Sequence, residues 1–351
     1  KAGLNWQIIP SVRVRGTTGT SYRAPALYEL FLQNQTGFLA QTSIDPCINW
    51  ANSSNPNIQT NCAAAGIPGN YTGVGSSATI FTSGGAGVVE AETSEASTLG
   101  IIWTPDFLDL SIAVDYFDIT IDNQITQIGA GAILGGCYGA PIYPNTYCSL
   151  FTRNPNSGPG ANNITAVIDD IINISQQATH GLDFTVRYEH EFDFGTMTFN
   201  LSATKTDEDV IQIFGAGDQS GFGTNDFGGT LGDPEWVGDA SVQLRQGDFT
   251  YSWFVDYVGS MDHEVFAPDL AAYFGRTIRR INSTDEWLSH DVSVRYVGDN
   301  FVITGGVANV FDAHPPAITT GVSSRFGNGP AFASQYDMRG RTAFLRLGYE
   351  F

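Results

Sequence analysis

The sequence predicts an all-β fold: an antiparallel transmembrane β-barrel, or part of one, contributing about ten strands. Three observations predict it. Apolar and polar residues alternate with period two in one segment after another, and tight turns alternate with long connections. No stretch approaches the roughly eighteen consecutive apolar residues that a membrane helix needs. A barrel strand spends only about ten residues in the bilayer and shows every second side chain to lipid. A mean hydropathy near zero therefore fits such a chain.

The elements follow in order. Leu4-Asn5-Trp6-Gln7-Ile8 reads as the end of a strand at 3–8, so the chain opens in mid-fold without a signal peptide. Complete strands are expected near 11–20, 89–104, 108–125, 178–191, 195–205, 235–245, 249–260, 287–297, 300–311 and 339–351. In the third of these, Leu110, Ile112, Val114 and Tyr116 oppose Ser111, Ala113 and Asp115. The clearest is the fourth. Leu182, Phe184, Val186, Tyr188, His190 and Phe192 share one face, and Asp183, Thr185, Arg187, Glu189 and Glu191 share the other. A one-residue slip would turn all five polar groups to lipid. One arginine at the bilayer midplane costs about 2–4 kcal/mol, so the register is fixed. The same alternation returns at Phe249, Tyr251, Trp253, Val255 and Tyr257, at Val292, Val294 and Tyr296, and at Leu345, Leu347, Tyr349 and Phe351.

Alternation alone leaves two readings open, because a soluble sandwich also has one buried and one wet face. The connections separate them. Pro105-Asp106, Asp193-Phe194-Gly195, Gln246-Gly247-Asp248 and Gly298-Asp299 are tight hairpin turns. They alternate with long connections at 21–88, 126–177, 206–234, 261–286 and 312–337. Loops above about fifteen residues are uncommon in compact domains, whereas short turns at one end and long loops at the other are the layout of an outer-membrane barrel. The tight turns then face the periplasm, and Phe351 belongs at the periplasmic rim.

Composition narrows the function. Sixteen Lys and Arg against 36 Asp and Glu give a formal charge of −20 in 351 residues. That disfavours nucleic acid, whose phosphates need clustered cations. It suits a water-facing surface, or carboxylates that bridge divalent cations at a lipopolysaccharide surface. Cys47 with Cys62 and Cys137 with Cys148 form two local pairs in loop sequence, without zinc-type spacing or a histidine cluster. They read as two loop-closing disulfides formed in an oxidising compartment. No GxSxG elbow, HExxH motif or phosphate-binding glycine loop is present, so no catalytic residue, metal ligand or cofactor is expected. His180, His190, His263, His290 and His314 are scattered, and Asp207-Glu208-Asp209 reads as a solvated loop tip. The loop aromatics Trp50, Tyr71, Tyr138, Tyr143 and Tyr147 could either stack on a small nutrient or pack the loop interior.

Several segments carry a family resemblance. Tyr22, Arg23, Ala24, Pro25, Leu27, Glu29 and Leu30, within 21–31, resemble the stretch that ends an upward strand and opens an outer loop in TonB-dependent outer-membrane receptors. Glu92-Thr93-Ser94-Glu95 through Trp103 resembles the strand that follows, with Ala91 where the family has proline. Asp115-Tyr116-Phe117-Asp118-Ile119 and the group Asn309, Phe311 and Asp312 resemble two further signatures. Tyr349 and Phe351 resemble the terminal signal read by the barrel-assembly machinery, with Arg346 where its glycine falls.

The resemblance implies a plugged barrel of 22 strands in the outer membrane of a Gram-negative bacterium, of which this chain is the C-terminal portion. It implies uptake of a scarce nutrient, such as an iron-siderophore, cobalamin or an oligosaccharide, energised by the TonB complex. TonB would act through an N-terminal part, with plug and TonB box, that nothing in these residues matches. Outer-membrane lipid, lipopolysaccharide and the nutrient itself are the other implied partners. Two alternatives stand beside it: a self-contained ten-stranded barrel enzyme of the omptin type, and a soluble secreted adhesin or lectin.

Overall fold

The computed structural model describes all residues except 54, 74, 175, 214–223, 263–269, 274–275, 320–327, 331–334 and 350–351. Phe351 and His263 therefore lie outside the described residues. Eleven long strands form one antiparallel sheet: β1 Ala2–Ile9, β2 Val12–Arg23, β3 Glu92–Trp103, β4 Asp109–Asp122, β5 Gln176–Phe192, β6 Gly195–Gln212, β7 Trp236–Gln246, β8 Phe249–Val258, β9 Trp287–Val297, β10 Phe301–Ala308 and β11 Thr342–Tyr349. Each pairs with the next in chain order, and a short strand at Thr224–Asp226 adds to the outer end of β6. This is an up-and-down meander, the topology that tight turns impose on successive strands.

The register joins the apolar positions into rows. Trp6 pairs with Val14, which pairs with Ile101, then Val114, Phe184 and Ala203. On this face Ile101 is 50% exposed and Leu347 is 70% exposed. Large apolar groups left bare along a whole sheet face are what lipid, rather than water, would cover. Aromatic rings collect at the inner end of the same face. Phe192 stacks on Phe194 at 5.1 Å, Phe249 meets Tyr296 at 4.9 Å, and Tyr296 meets Phe301 at 5.7 Å. His190 belongs to this belt, with its ring 4.5 Å from that of Phe192.

One expectation changes. Asp207, Glu208 and Asp209 are not a loop tip, because β6 runs on to Gln212 and pairs with β5 through Asp209–Thr179 and Glu208–His180. A strand that continues beyond the bilayer keeps its ladder while its side chains return to water, so the loss of alternation there marks the membrane boundary. The connections 21–88 and 126–177 carry structure of their own. They contain the helices Leu27–Phe31, Gln41–Ile44, Pro56–Ala64 and Ala130–Gly139, together with a four-stranded sheet of their own. Pro56 fits the first turn of its helix, where Asn55 caps the Asn57 N–H.

β11 pairs with β10 on one side, and among the described residues no ladder joins it to β1 or β2. The sheet is therefore an open arc with β1 and β11 as its edges.

Candidate functional site

The well-packed interior of this protein lies outside the strand wall, where the two long connections meet. Ile133, Leu134, Ile164, Val167 and Tyr147 are fully buried there. The connections interlock through a parallel pairing of Thr79–Phe81 with Ala166–Ile168, and through Gln41, whose side chain bonds both the N–H and C=O of Ile164. Asn61 donates to the carbonyls of Tyr138 and Ala140. Disulfides Cys47–Cys62 and Cys137–Cys148 close one loop in each connection.

One charge pair sits inside this unit. Arg153 donates to both carboxylate oxygens of Asp45 at 2.8 Å, with the Asp45 side chain fully buried and that of Arg153 10% exposed. Arg153 also donates to Asn162 O and to the Tyr138 hydroxyl, and its guanidinium lies 5.2 Å from the Tyr138 ring centre and 5.9 Å from that of Tyr71. Burial is the largest single influence and opposes the guanidinium charge, but the hydrogen bonds and charge attraction of Asp45, together with Tyr138, outweigh it and hold its pKa above the ordinary value. Burial likewise pushes the Tyr71 and Tyr138 phenols up to about 12.

This geometry divides the five loop aromatics. Tyr138 and Tyr147 are buried in the core, where their rings pack the loop interior. Trp50, Tyr71 and Tyr143 pack against the same core but keep exposed edges. Trp50 donates its indole N–H to Ile67 O, and Tyr71 donates its hydroxyl to Asn163.

Several of the signature residues tie neighbouring segments together. Arg23, at the top of β2, forks onto Glu92 of β3 at 2.6 and 2.7 Å and onto Glu29 at 2.9 and 3.0 Å. Glu29 also accepts the Ala26 N–H, and Glu92 accepts the Ile125 N–H. This cluster ties the short helix carrying Leu27, Glu29 and Leu30 to the rims of three strands. Arg23 holds the Glu29 carboxyl below the usual carboxylate range. Ala24 and Pro25 make the link to the helix, while Tyr22 and Leu27 are bare at 79% and 76% exposure.

Asn309 does for β10 what Arg23 does for β2. It is fully buried in the left-handed region at φ 49°, and its amide bonds both the N–H and the C=O of Ala313. Its own N–H goes to Asp291, and Asp312 accepts the Arg341 N–H. Phe311 stays exposed, with its ring edge-on to His290.

The polar face of the wall is rich in carboxylates toward the long loops. Nearer the tight turns on the same face, Arg15 and Asp115 form a bidentate pair. Asp239 and Asp256 stand directly opposite each other across β7 and β8. A cavity of about 530 Å³ beside them is also lined by Trp287, Gln335 and Asp337. Among the described residues no group of His, Cys, Asp and Glu has metal-binding geometry.

Comparison with known proteins fits this picture. The model of the family "TonB dependent receptor-like, beta-barrel" matches residues 1–310. The chain belongs to the TonB-dependent receptor family. Its place is accordingly the outer membrane of a Gram-negative bacterium. Similar solved structures include a point mutant of the ferric enterobactin receptor PfeA of Pseudomonas aeruginosa, at TM-score 0.57 and 17% identity over 99% of this chain and 39% of that one. The siderophore receptor PirA of Acinetobacter baumannii is similar at TM-score 0.53 and 13% identity, over 99% of this chain and 40% of that one. At these identities the likeness speaks for the fold. The chain spans about two fifths of the length of these receptors. Comparison with curated proteins gives no match.

Proposed function

We propose that these residues form the C-terminal wall and two of the outer loops of a receptor that imports a scarce nutrient across the outer membrane. Family membership over residues 1–310 is the observation that carries this reading. The eleven strands would be half of a 22-stranded ring, with a plug and a TonB box supplied from an N-terminal part. TonB and the proton-motive force would drive release of the nutrient inward. The barrel-assembly machinery would read the end of the chain through Tyr349 and Phe351, and the aromatic belts would seat in lipid beneath lipopolysaccharide.

Among nutrients, an iron chelate is the first choice, because the solved neighbours are named as siderophore or ferric enterobactin receptors. Cobalamin and oligosaccharides are the runners-up. The exposed edges of Trp50, Tyr71 and Tyr143, and the cavity beside Asp239 and Asp256, would face the bound nutrient. The test uses the full-length receptor in cells with its own copy deleted. Uptake of labelled ferric siderophores, cobalamin and oligosaccharides is measured with and without functional TonB. TonB-dependent uptake of one class identifies the cargo. Equal uptake of all classes in both strains would sink the reading.

A further inference from the structure

The cavity beside Asp239 and Asp256 carries a charge that selects among cargoes. Its floor follows one rung of the wall, where Ser202 pairs with Asp239 and Asp239 with Asp256. Gln335 and Asp337, from the connection that precedes β11, complete the lining. This segment is tied down where the Gln335 amide donates to Gly232 O and where the Tyr336 ring meets Trp287 edge-on at 5.4 Å. About 530 Å³ is room for a small organic group. Among the described residues no lysine, arginine or histidine lines the cavity. Asp337 has Arg339 as its partner, but Asp239 and Asp256 have no cation within 4 Å among the described residues. Like charges set opposite each other on neighbouring strands destabilise a sheet, so this pair calls for a counter-charge.

A second observation, independent of the carboxylates, also points to a ligand. Trp287 lines the cavity at 6% exposure, and its indole N–H has no acceptor among the described residues. The side-chain oxygen of Gln335 is likewise buried without a donor. Unmatched buried polar groups are destabilising, and a bound molecule with both a donor and an acceptor would satisfy the two.

We infer that this cavity takes a protonated amine of the imported nutrient, with an oxygen acceptor on the same molecule facing Trp287. The inference rests on the reading of this protein as a nutrient receptor. An ammonium group donates to Asp239, Asp256 and the Gln335 oxygen, and such charge-assisted bonds are the strong ones. A metal ion is the poorer match, because the carboxylates do not converge in metal-binding geometry. Among iron chelates the cavity therefore favours neutral or cationic complexes that carry an amine. A ferric tris-catecholate is triply anionic, and the field of a cleft lined by carboxylates repels it.

The test uses the purified full-length receptor and calorimetry with two probes. They are the ferric complexes of a linear tris-hydroxamate ending in a primary amine and of its N-acetylated form, which differ by one charge. The amine form should bind about tenfold tighter or more, the worth of one hydrogen bond to a charged group. That margin should narrow between about 0.1 M and about 1 M salt, as the screening length shrinks from about 10 Å to about 3 Å. Asp239→Asn combined with Asp256→Asn should bring the two affinities together, whereas Asp239→Glu should keep them apart. Heat-modifiable migration on gels checks that each variant is folded. Equal affinities in the unsubstituted receptor, binding of neither form, or a margin that survives the double substitution would overturn the inference. TonB-dependent uptake of a nutrient without an amine would also overturn it, while leaving the receptor reading in place. Absence of TonB-dependent uptake for every nutrient would instead sink the receptor reading itself.

Discussion

Arg153 and Asp45 show how a single pair can hold two distant segments together. Both charges are withdrawn from water, so each depends on the other. Arg153→Met should cost about 3–5 kcal/mol, because it leaves Asp45 buried without a counter-charge. Asp45→Asn with Arg153→Met should recover much of that loss, as read from thermal melts followed by tryptophan fluorescence. Asp169 gives a pH signature in the same unit. Burial raises its carboxyl above the ordinary range, against the hydrogen bond it accepts from the Gly129 N–H at 2.8 Å. A carboxyl raised on folding contributes stability that is complete below its unfolded value and is lost as pH rises through its folded value. The unsubstituted protein should therefore lose loop stability across that acid range relative to Asp169→Asn, which keeps the acceptor and does not titrate. Parallel pH curves for the two proteins would refute this assignment. Asn309 is the third such residue. Asn309→Ala strands the N–H and C=O of Ala313 and should cost about 1–3 kcal/mol.

The strands are legible in the sequence because lipid punishes error. In β5 the five polar groups from Asp183 to Glu191 admit one register, and the observed pairing of Phe184 with Val114 and Ala203 keeps it. Legibility ends at Asp207, where β6 leaves the bilayer and period two no longer marks a strand. The loop unit is opaque for a different reason. Ile133, Ile164 and Val167 look like scattered loop residues, and their burial depends on contacts with segments such as 41–47 and 78–80, far away in sequence. Only the cysteines signal that these connections fold, and both pairings are those their spacing suggests. The two disulfides close separations of 15 and 11 residues, each worth about 3 kcal/mol in the chain-entropy model. Replacing both pairs with serine should open the loop unit to protease on intact cells while the strands stay resistant. Cleavage at Gly247 or Gly298 in those cells would instead reverse the inside-outside assignment.

The molecule as a whole is a wall with two free edges, which sets its most consequential prediction. β1 and β11 are each eight residues long, and among the described residues each has a partner on one side only. In water such edges are tolerable, though they invite pairing with other strands. In hydrocarbon every unmatched N–H and C=O costs several kcal/mol, and each edge exposes several of them. No rearrangement of side chains can offset that sum, because Leu345, Leu347 and the rest of the outer face already point toward lipid. Residues 1–351 expressed alone should therefore fail to give a heat-modifiable, protease-resistant monomer in outer-membrane lipid. They should instead aggregate, or pair edge to edge into a larger ring. Supplying the remainder of the receptor as a separate polypeptide should restore a resistant complex. Cysteines placed at facing positions of β11 and the first strand of that remainder should then form a disulfide. A stable monomer of residues 1–351 in lipid, with β11 crosslinking to β1, would show that the wall closes on itself.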